Sequence, residues 1–263
     1  MTRQVTFDRI AVVYDGFMGR WTHAFMPALL RAAEIAPGQR VLDLATGTGE
    51  SALRLADALG SRGTVVGADF SLSMLARARA KTGDKRIRLV AADAQALACR
   101  DGTFDRVVCQ LGLMFFPDPV TGVREARRVL RPGGRFGALV WSERMPWASF
   151  LAEELVAHLP ARREDLFVST RLGTPARLER ALRDGGLGRV RVTTHTATME
   201  FASFDAYWSH VEDGSIRIGQ MLGDVPAGTA TAIRDRLRDR MAPFAAGIGL
   251  VMPTDVLVGV GTK

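Results

Sequence analysis

The sequence predicts an α/β fold in which a mostly parallel sheet is sandwiched between layers of helices. Two observations carry this expectation. A strand, glycine-bearing turn and helix occupy residues 40–59, and short apolar runs ending in aspartate follow at intervals wide enough for an intervening helix. The first unit reads Arg40 to Leu44 as a buried strand, Ala45-Thr46-Gly47-Thr48-Gly49 as the turn, and Ser51 to Leu59 as a helix packing through Leu53, Leu55, Ala56 and Leu59. Glycine lets a backbone approach a ligand closely, and the first turn of the helix offers unpaired N–H groups. A nucleotide-like ligand is therefore expected at the carboxyl end of this strand.

Thr64-Val65-Val66-Gly67-Ala68-Asp69 is the second strand, its acid 26 positions beyond Asp43. An acid in that place can accept hydrogen bonds from two ribose hydroxyls. Asp69 could instead cap the helix Ser71 to Lys81, but Ser71 is the better cap and leaves Asp69 free. Ile87 to Ala92 leads to a third acid, Asp93. Phe104 to Gln110 is a fourth strand with an outgoing loop at Gly112 to Asp118, followed by a helix over Pro119 to Leu130. Arg131-Pro132-Gly133-Gly134 reads as a turn, and Gly134 to Trp141 as the fifth strand.

The dinucleotide fingerprint G-x-G-x-x-G fails, since it would place Ala45, Gly47 and Glu50 at its three glycines. Asp43-x-Ala45-x-Gly47-x-Gly49, the acids Asp69 and Asp93, and Arg128-Val129-Leu130-Arg131-Pro132-Gly133-Gly134-Arg135-Phe136 instead resemble the class I S-adenosylmethionine-dependent methyltransferases, and within them the small-molecule branch typified by ubiquinone and menaquinone biosynthesis. The resemblance covers residues 7 to 142 and implies a Rossmann-like three-layer sandwich, with seven strands in the order 3-2-1-4-5-7-6 and the last two antiparallel. It implies the cofactor S-adenosyl-L-methionine and the product S-adenosyl-L-homocysteine. Asp43, Ala45, Thr46, Gly47, Gly49 and Tyr14 would lie at the methionine half and Asp69 at the ribose, with Gln110 also binding the cofactor. Phe70, Met74, Asp93 and Ala94 would lie at the adenine. Two departures stand out: Ala45 replaces a frequent glycine, and Trp141 stands where quinone enzymes carry a Glu-Phe pair.

Apolar positions at helical spacing from Phe7 to Leu29 predict N-terminal helices, ending at Pro37-Gly38. After Trp141, helices are expected around Phe150 to Leu159 and from Pro175, capped by Thr174, to Asp184. Val190 to Phe201 alternates as a strand, and Asp255 to Gly261 supplies the final one. Residues 203–250 between them carry amphipathic helical patterning that includes Tyr207, Trp208 and Met221. The expected division is a helical cover at 1–37, a core at 38–202, a helical lid at 203–250 and a last core strand at 251–263. Such a lid suits an apolar small-molecule substrate lined by Met114, Phe115, Trp141, Tyr207 and Trp208; its alternative is a dimerisation surface that makes a homo-oligomer.

Hydrophobic residues make up 47% of the 263 and charged residues 24%, the balance of a soluble globule, and no apolar stretch reaches membrane length. A cytoplasmic protein is expected. Cys99 and Cys109 exclude a disulfide framework, and neither they nor the four histidines show metal-ligand spacing. The net charge of +7 is almost all arginine, interleaved with acids as in Arg234-Asp235-Arg236, which reads as a solvated face rather than a nucleic-acid surface. Methyl transfer needs a base only when the acceptor must lose a proton; His210, His23 and Tyr14 lead the candidates, with His158, His195, Tyr207 and Glu212 behind them. The function expected is methyl transfer to an O, N or C atom of a small metabolite in specialised or quinone-like metabolism. Competing readings keep the cofactor but catalyse cyclisation, direct the enzyme to RNA, or replace the cofactor with NAD.

Overall fold

The computed structural model describes residues 11–83, 86–213 and 217–263. Helix α1 (Ala11–Ala32) leads into β1 (Arg40–Leu44), α2 (Glu50–Leu59), β2 (Thr64–Asp69), α3 (Leu72–Thr82) and β3 (Ile87–Ala91). There follow β4 (Phe104–Gln110), α4 (Pro119–Val129), β5 (Leu130–Trp141), α5 (Pro146–His158), α6 (Arg163–Phe167), α7 (Pro175–Asp184) and β6 (Gly188–Phe201). Last come α8 (Phe204–Glu212), α9 (Ala227–Met241), the two-residue β7 (Ala245–Ala246) and β8 (Gly249–Thr262). Among the described residues the strands form one sheet in the order β3-β2-β1-β4-β5-β8-β6, with β7 on β8. This is the order the sequence implies once β8 is counted as the seventh main strand.

The first five strands of that order are parallel. Their centre is apolar on both faces: Val41, Leu42, Leu44, Val107, Val108 and Cys109 have no exposure, as strands covered by helices above and below require. Lys263 donates its backbone N–H to Gly134 and Ser142 to Asp255, so β8 runs against β5. Likewise Thr262 Oγ1 donates to the Gly188 carbonyl while Thr193 Oγ1 reaches that of Val258, so β6 runs against β8.

The strand register fixes the three acids. Asp43 lies beside Gly67, two residues short of Asp69, and Asp69 lies beside Ala91, two residues short of Asp93. Asp69 therefore sits one pleat, roughly 6–7 Å, beyond the level of Asp43 and shares its side-chain parity, while Asp93 follows two residues after the end of β3. Ser71 caps α3 by accepting from the Met74 N–H, and Asp69 is left free of the capping role, as the sequence implies. The turn expected at 131–134 is instead absorbed into β5, which begins at Leu130 and shifts register between Phe104 and Arg106 on β4. The extra residues bulge because Leu130 already pairs with Phe104 before Gly133, at φ 73°, redirects the strand.

The chain divides into two compact units. The first gathers everything up to Val140 with Leu172–His195 and Val256–Lys263; the second gathers Trp141–Arg171 and Thr196–Asp255. Helices α5 and α6, which the sequence groups with the core span 38–202, thus belong with the segment 203–250. The reason is specific packing of α5 on α9: Arg236 bonds Glu154 at 2.6 Å, Arg240 reaches Glu153 and lies 4.1 Å from the Phe150 ring centroid, and Phe150 meets Phe244. Helix α8 buries Phe204, Tyr207, Trp208 and Val211, and the 3-10 turn at 217–224 buries Ile218 and Met221.

In the first unit α7 packs through Leu178, Ala181 and Leu182, with Thr174 accepting from the Arg177 N–H at its start. Gly185, at its C-terminal end, has φ −75°, so its backbone would suit any residue. Its constraint is space: an added Cβ would lie 2.2 Å from Val123 Cγ1 of α4. Gly185→Ala is expected to cost about 1–3 kcal/mol by overpacking, read as a lowered urea midpoint, and adding Val123→Ala should recover part of that loss.

Candidate functional site

The site is built on the turn after β1. Asp43 has no exposure, and its Oδ2 accepts hydrogen bonds from Thr46 Oγ1 at 2.6 Å and Ser51 Oγ at 2.5 Å. These bonds draw the turn back over the strand end and fix the start of α2. The bend is sharp: Ala45 has φ 55°, Gly47 φ 56° and Gly49 φ 88°. Ala45 pays the cost of a side chain in the left-handed region, about 1–3 kcal/mol, where a glycine would not. Gly49 is required twice over, since an added Cβ would also meet Ala78 Cβ at 3.1 Å. Gly112, after β4, is held to glycine by the same turn, because its Cβ would lie 2.5 Å from that of Ala45.

Burial pushes the Asp43 carboxyl up to about 6, against the lowering effect of its two hydroxyl partners. Its Oδ1 is buried with no hydrogen-bond partner, and so are both amide atoms of Gln110. Gln110 ends β4, one pleat beyond Val108, which pairs with Asp43. The two side chains therefore leave the sheet on the same face. Together they leave two acceptors and one donor group unfilled behind the glycine turn, and of the two only Gln110 also lines a cleft of about 370 Å³, a volume that includes its open mouth. Ala45, Thr46, Gly47, Thr48, Glu50 and Ser51 form one wall, Gln110 and Leu111 a second, and Gly19 and Thr22 of α1 a third. Glu50 is paired with Lys81 at 2.9 Å.

Asp69 is tied into the same turn. Its Oδ2 accepts from the Gly47 N–H at 2.8 Å and its Oδ1 from the Ser71 N–H at 2.9 Å. The Phe70 N–H also bonds this carboxylate, which keeps acceptor capacity beyond its three backbone donors. Burial raises the Asp69 carboxyl, and the backbone donors offset part of that rise. Phe70 is 47% exposed beside it, and Met74 is buried. Asp93, expected at a strand end, lies two residues past β3 and is exposed; its Oδ1 accepts from the Gln95 N–H at 2.8 Å. Ala94 is half-buried.

The remaining candidates are spread more widely. Met114 is buried and Phe115 half-buried on the 3-10 turn after β4. Trp141, Tyr207 and Trp208 are buried in the second unit, where Trp141 meets Trp147 edge-on and Trp208 Nε1 donates to Glu212 Oε1 at 2.6 Å. Burial holds the Tyr207 phenol well above its ordinary value, so it can donate a proton in a hydrogen bond but cannot serve as a base near neutral pH. His23 is exposed with Nδ1 2.7 Å from Arg54 Nη2. His210 lies 3.9 Å from Asp213 and against Phe201. Tyr14 falls within α1, but its side chain lies outside the described residues. Sequence reasoning missed Ser51, Gly19 and Thr22. A serine in the first turn of α2 is a signal for Ser51; nothing local marks the other two.

The unfilled set fits S-adenosyl-L-methionine. A zwitterionic amino-acid end supplies N–H donors for the Asp43 Oδ1 and Gln110 Oε1 atoms and a carboxylate for Gln110 Nε2, and Asp69 retains lone pairs for two ribose hydroxyls. No group of three or more metal-ligating side chains occurs among the described residues. This sheet order and turn are those of the class I S-adenosyl-L-methionine-dependent methyltransferase fold. The chain belongs to the ubiE/COQ5 methyltransferase family, whose model matches residues 7–153.

Relatives and solved structures agree with this assignment. An uncharacterised protein of Mycobacterium tuberculosis is 34% identical over 181 residues, 68% of this chain and 64% of its own length. Demethylmenaquinone methyltransferase of Beutenbergia cavernae is 40% identical over 154 residues, 56% of this chain and 60% of its own. The chain thus spans under two thirds of either relative. In fold it is similar to phosphoethanolamine N-methyltransferase 2 of Haemonchus contortus, solved with S-adenosyl-L-methionine (TM-score 0.60, 18% identity, 99% of this chain and 58% of that one). It is also similar in fold to the [4+2]-cyclase SpnF (TM-score 0.63, 18% identity, 98% and 93%).

The raised Asp43 carboxyl has a consequence for stability. Between its unfolded value of 3.8 and about 6 the native state holds a proton that the unfolded chain releases, so this contribution is complete below pH 3.8 and is lost as pH rises through 6. Roughly two pH units correspond to about 3 kcal/mol. Asp43→Asn should therefore gain about 3 kcal/mol on the parent between pH 4 and pH 7, measured as the change in the gap between their urea midpoints.

Proposed function

We propose that the chain transfers a methyl group from S-adenosyl-L-methionine to an O, N or C atom of a small, apolar or aromatic metabolite, and that it does so in the cytoplasm. The observation that carries this reading is the unfilled polar set of the buried Asp43 Oδ1 and the Gln110 amide, the latter lining the cleft beside the glycine turn. Family membership supports the reaction, and relatives that are demethylmenaquinone methyltransferases support a small-molecule acceptor. Trp141, in place of the pair that quinone enzymes carry, favours an acceptor other than the quinone ring. No helix among the described residues is long and apolar enough to cross a membrane.

The cofactor supplies an activated methyl on a sulfonium, and the task left to the protein is positioning. Asp43 and Gln110 hold the amino-acid end, Asp69 the ribose, and Asp93 and Ala94 the adenine, with Phe70 along its face and Met74 behind. The Gly47 and Ser71 N–H groups aim the Asp69 carboxylate, so its orientation is set before any ligand arrives. A preset orientation removes part of the entropy cost of alignment, and positioning of this kind can supply roughly 7 to 11 kcal/mol of barrier lowering. Met114 and Phe115 are the acceptor-side residues of the first unit. Of the base candidates, His23 is engaged with Arg54 and Tyr207 stays protonated, so neither is proposed as the base for an acceptor that must lose a proton.

Calorimetry with S-adenosyl-L-homocysteine tests the assignment directly: binding is expected, and its absence would overturn the reading. Asp69→Ala should weaken that binding by about 1.5–3 kcal/mol, the worth of a hydrogen bond to a charged group. An unchanged dissociation constant would remove Asp69 from the ribose.

A further inference from the structure

The stretch from Gln110 to Asp118 has two fixed ends. At one, Gln110 and Leu111 wall the cleft. At the other, Asp118 caps α4: its Oδ1 accepts from the Val120 N–H at 2.9 Å and its Oδ2 from Thr121 Oγ1 at 2.5 Å. The backbone N–H of Asp118 points back out of the cap and donates to Gln95 Oε1 at 2.8 Å. Gln95 in turn addresses Asp93 twice, with its own backbone N–H at 2.8 Å and with Nε2 at 3.4 Å, both to Oδ1. One carboxamide thus uses its donor on the acid after β3 and its acceptor on the segment after β4. Only an amide offers both at this length: glutamate would set a second negative charge against Asp93, and methionine has neither group. Beyond Gln95 the loop is held separately, Leu97 N–H on Glu125 and Arg128 on the Leu97 and Cys99 carbonyls, so those ties do not involve Asp93.

We propose that Gln95 is a positioning residue that joins the carboxylate at the adenine to the 110–118 segment at the reactive end, so that filling the first stiffens the second. The proposal rests on the cofactor reading above. It makes a demand that a simple brace does not: adenosine, which lacks the methionine half and does not extend to Gln110, must be felt across residues 111–118.

Amide hydrogen exchange on the full chain tests it, with adenosine and S-adenosyl-L-homocysteine at saturation, in the parent and in Gln95→Glu and Gln95→Met. In the parent both ligands should slow exchange across 111–118 several-fold. Both variants should bind adenosine roughly 10-fold more weakly, the loss of one hydrogen bond to a carboxylate, and at saturation should show no slowing there. Gln95→Glu keeps the acceptor for Asp118, so the response should vanish even where that half of the tie survives. A brace alone predicts faster exchange in the free variants but the same ratio on adding adenosine; that result, or no slowing in the parent despite binding, overturns the proposal. Failure of the parent to bind either ligand overturns the cofactor reading and the proposal with it.

Discussion

A carboxylate without exposure, at the end of the central strand, is the constraint from which the rest of the site follows. Asp43 cannot reach water, so it recruits the hydroxyls of Thr46 and Ser51, and this pulls five residues of turn back across the strand end. The bend drives Ala45 into the left-handed region, and Ala45 in turn forbids any side chain at Gly112 on the neighbouring loop. Both partners satisfy the same oxygen, and the other is left buried without a partner. Burying an acceptor without a partner costs free energy, and a site that carries such a cost has a use for it when the missing donor arrives.

The second level of order is the register. Because β1, β2 and β3 are parallel, Asp43 and Asp69 end neighbouring strands one pleat apart, and Asp93 follows β3 at the same end of the sheet. The Gly47 N–H stitches the first step to the second, and Gln95 links the third to the loop after β4. Strand geometry, turn geometry and side-chain bonding thus agree on one line across the sheet edge.

Much of this was legible beforehand. Strands covered on both faces need runs such as Val41-Leu42 and Val107-Val108, and caps such as Ser71 and Thr174 announce themselves by residue type. What was not legible depends on contacts distant in sequence. Arg131 to Gly134 has the composition of a turn, yet pairing of Leu130 with Phe104 makes it a bulge inside β5. Helix α5 reads as part of the core because it follows β5, while its partners Arg236 and Arg240 lie more than 80 residues away. Gly19 and Thr22 carry no local signature of a cleft wall. Asp93 reads as a strand end in an apolar run, but β3 is the sheet edge, and the pairing stops two residues earlier.

The place of β8 between β5 and β6 bears on how the chain comes together. Strand β6 is complete at Phe201, but its neighbour begins only at Gly249, so for some fifty residues of synthesis a finished strand has nothing to pair with. Such an orphan edge, rich in threonine and valine, is open to pairing with the wrong chain. Nascent protein should thus be most prone to aggregate during that interval on the ribosome, and chaperone capture there would guard the step that closes the sheet.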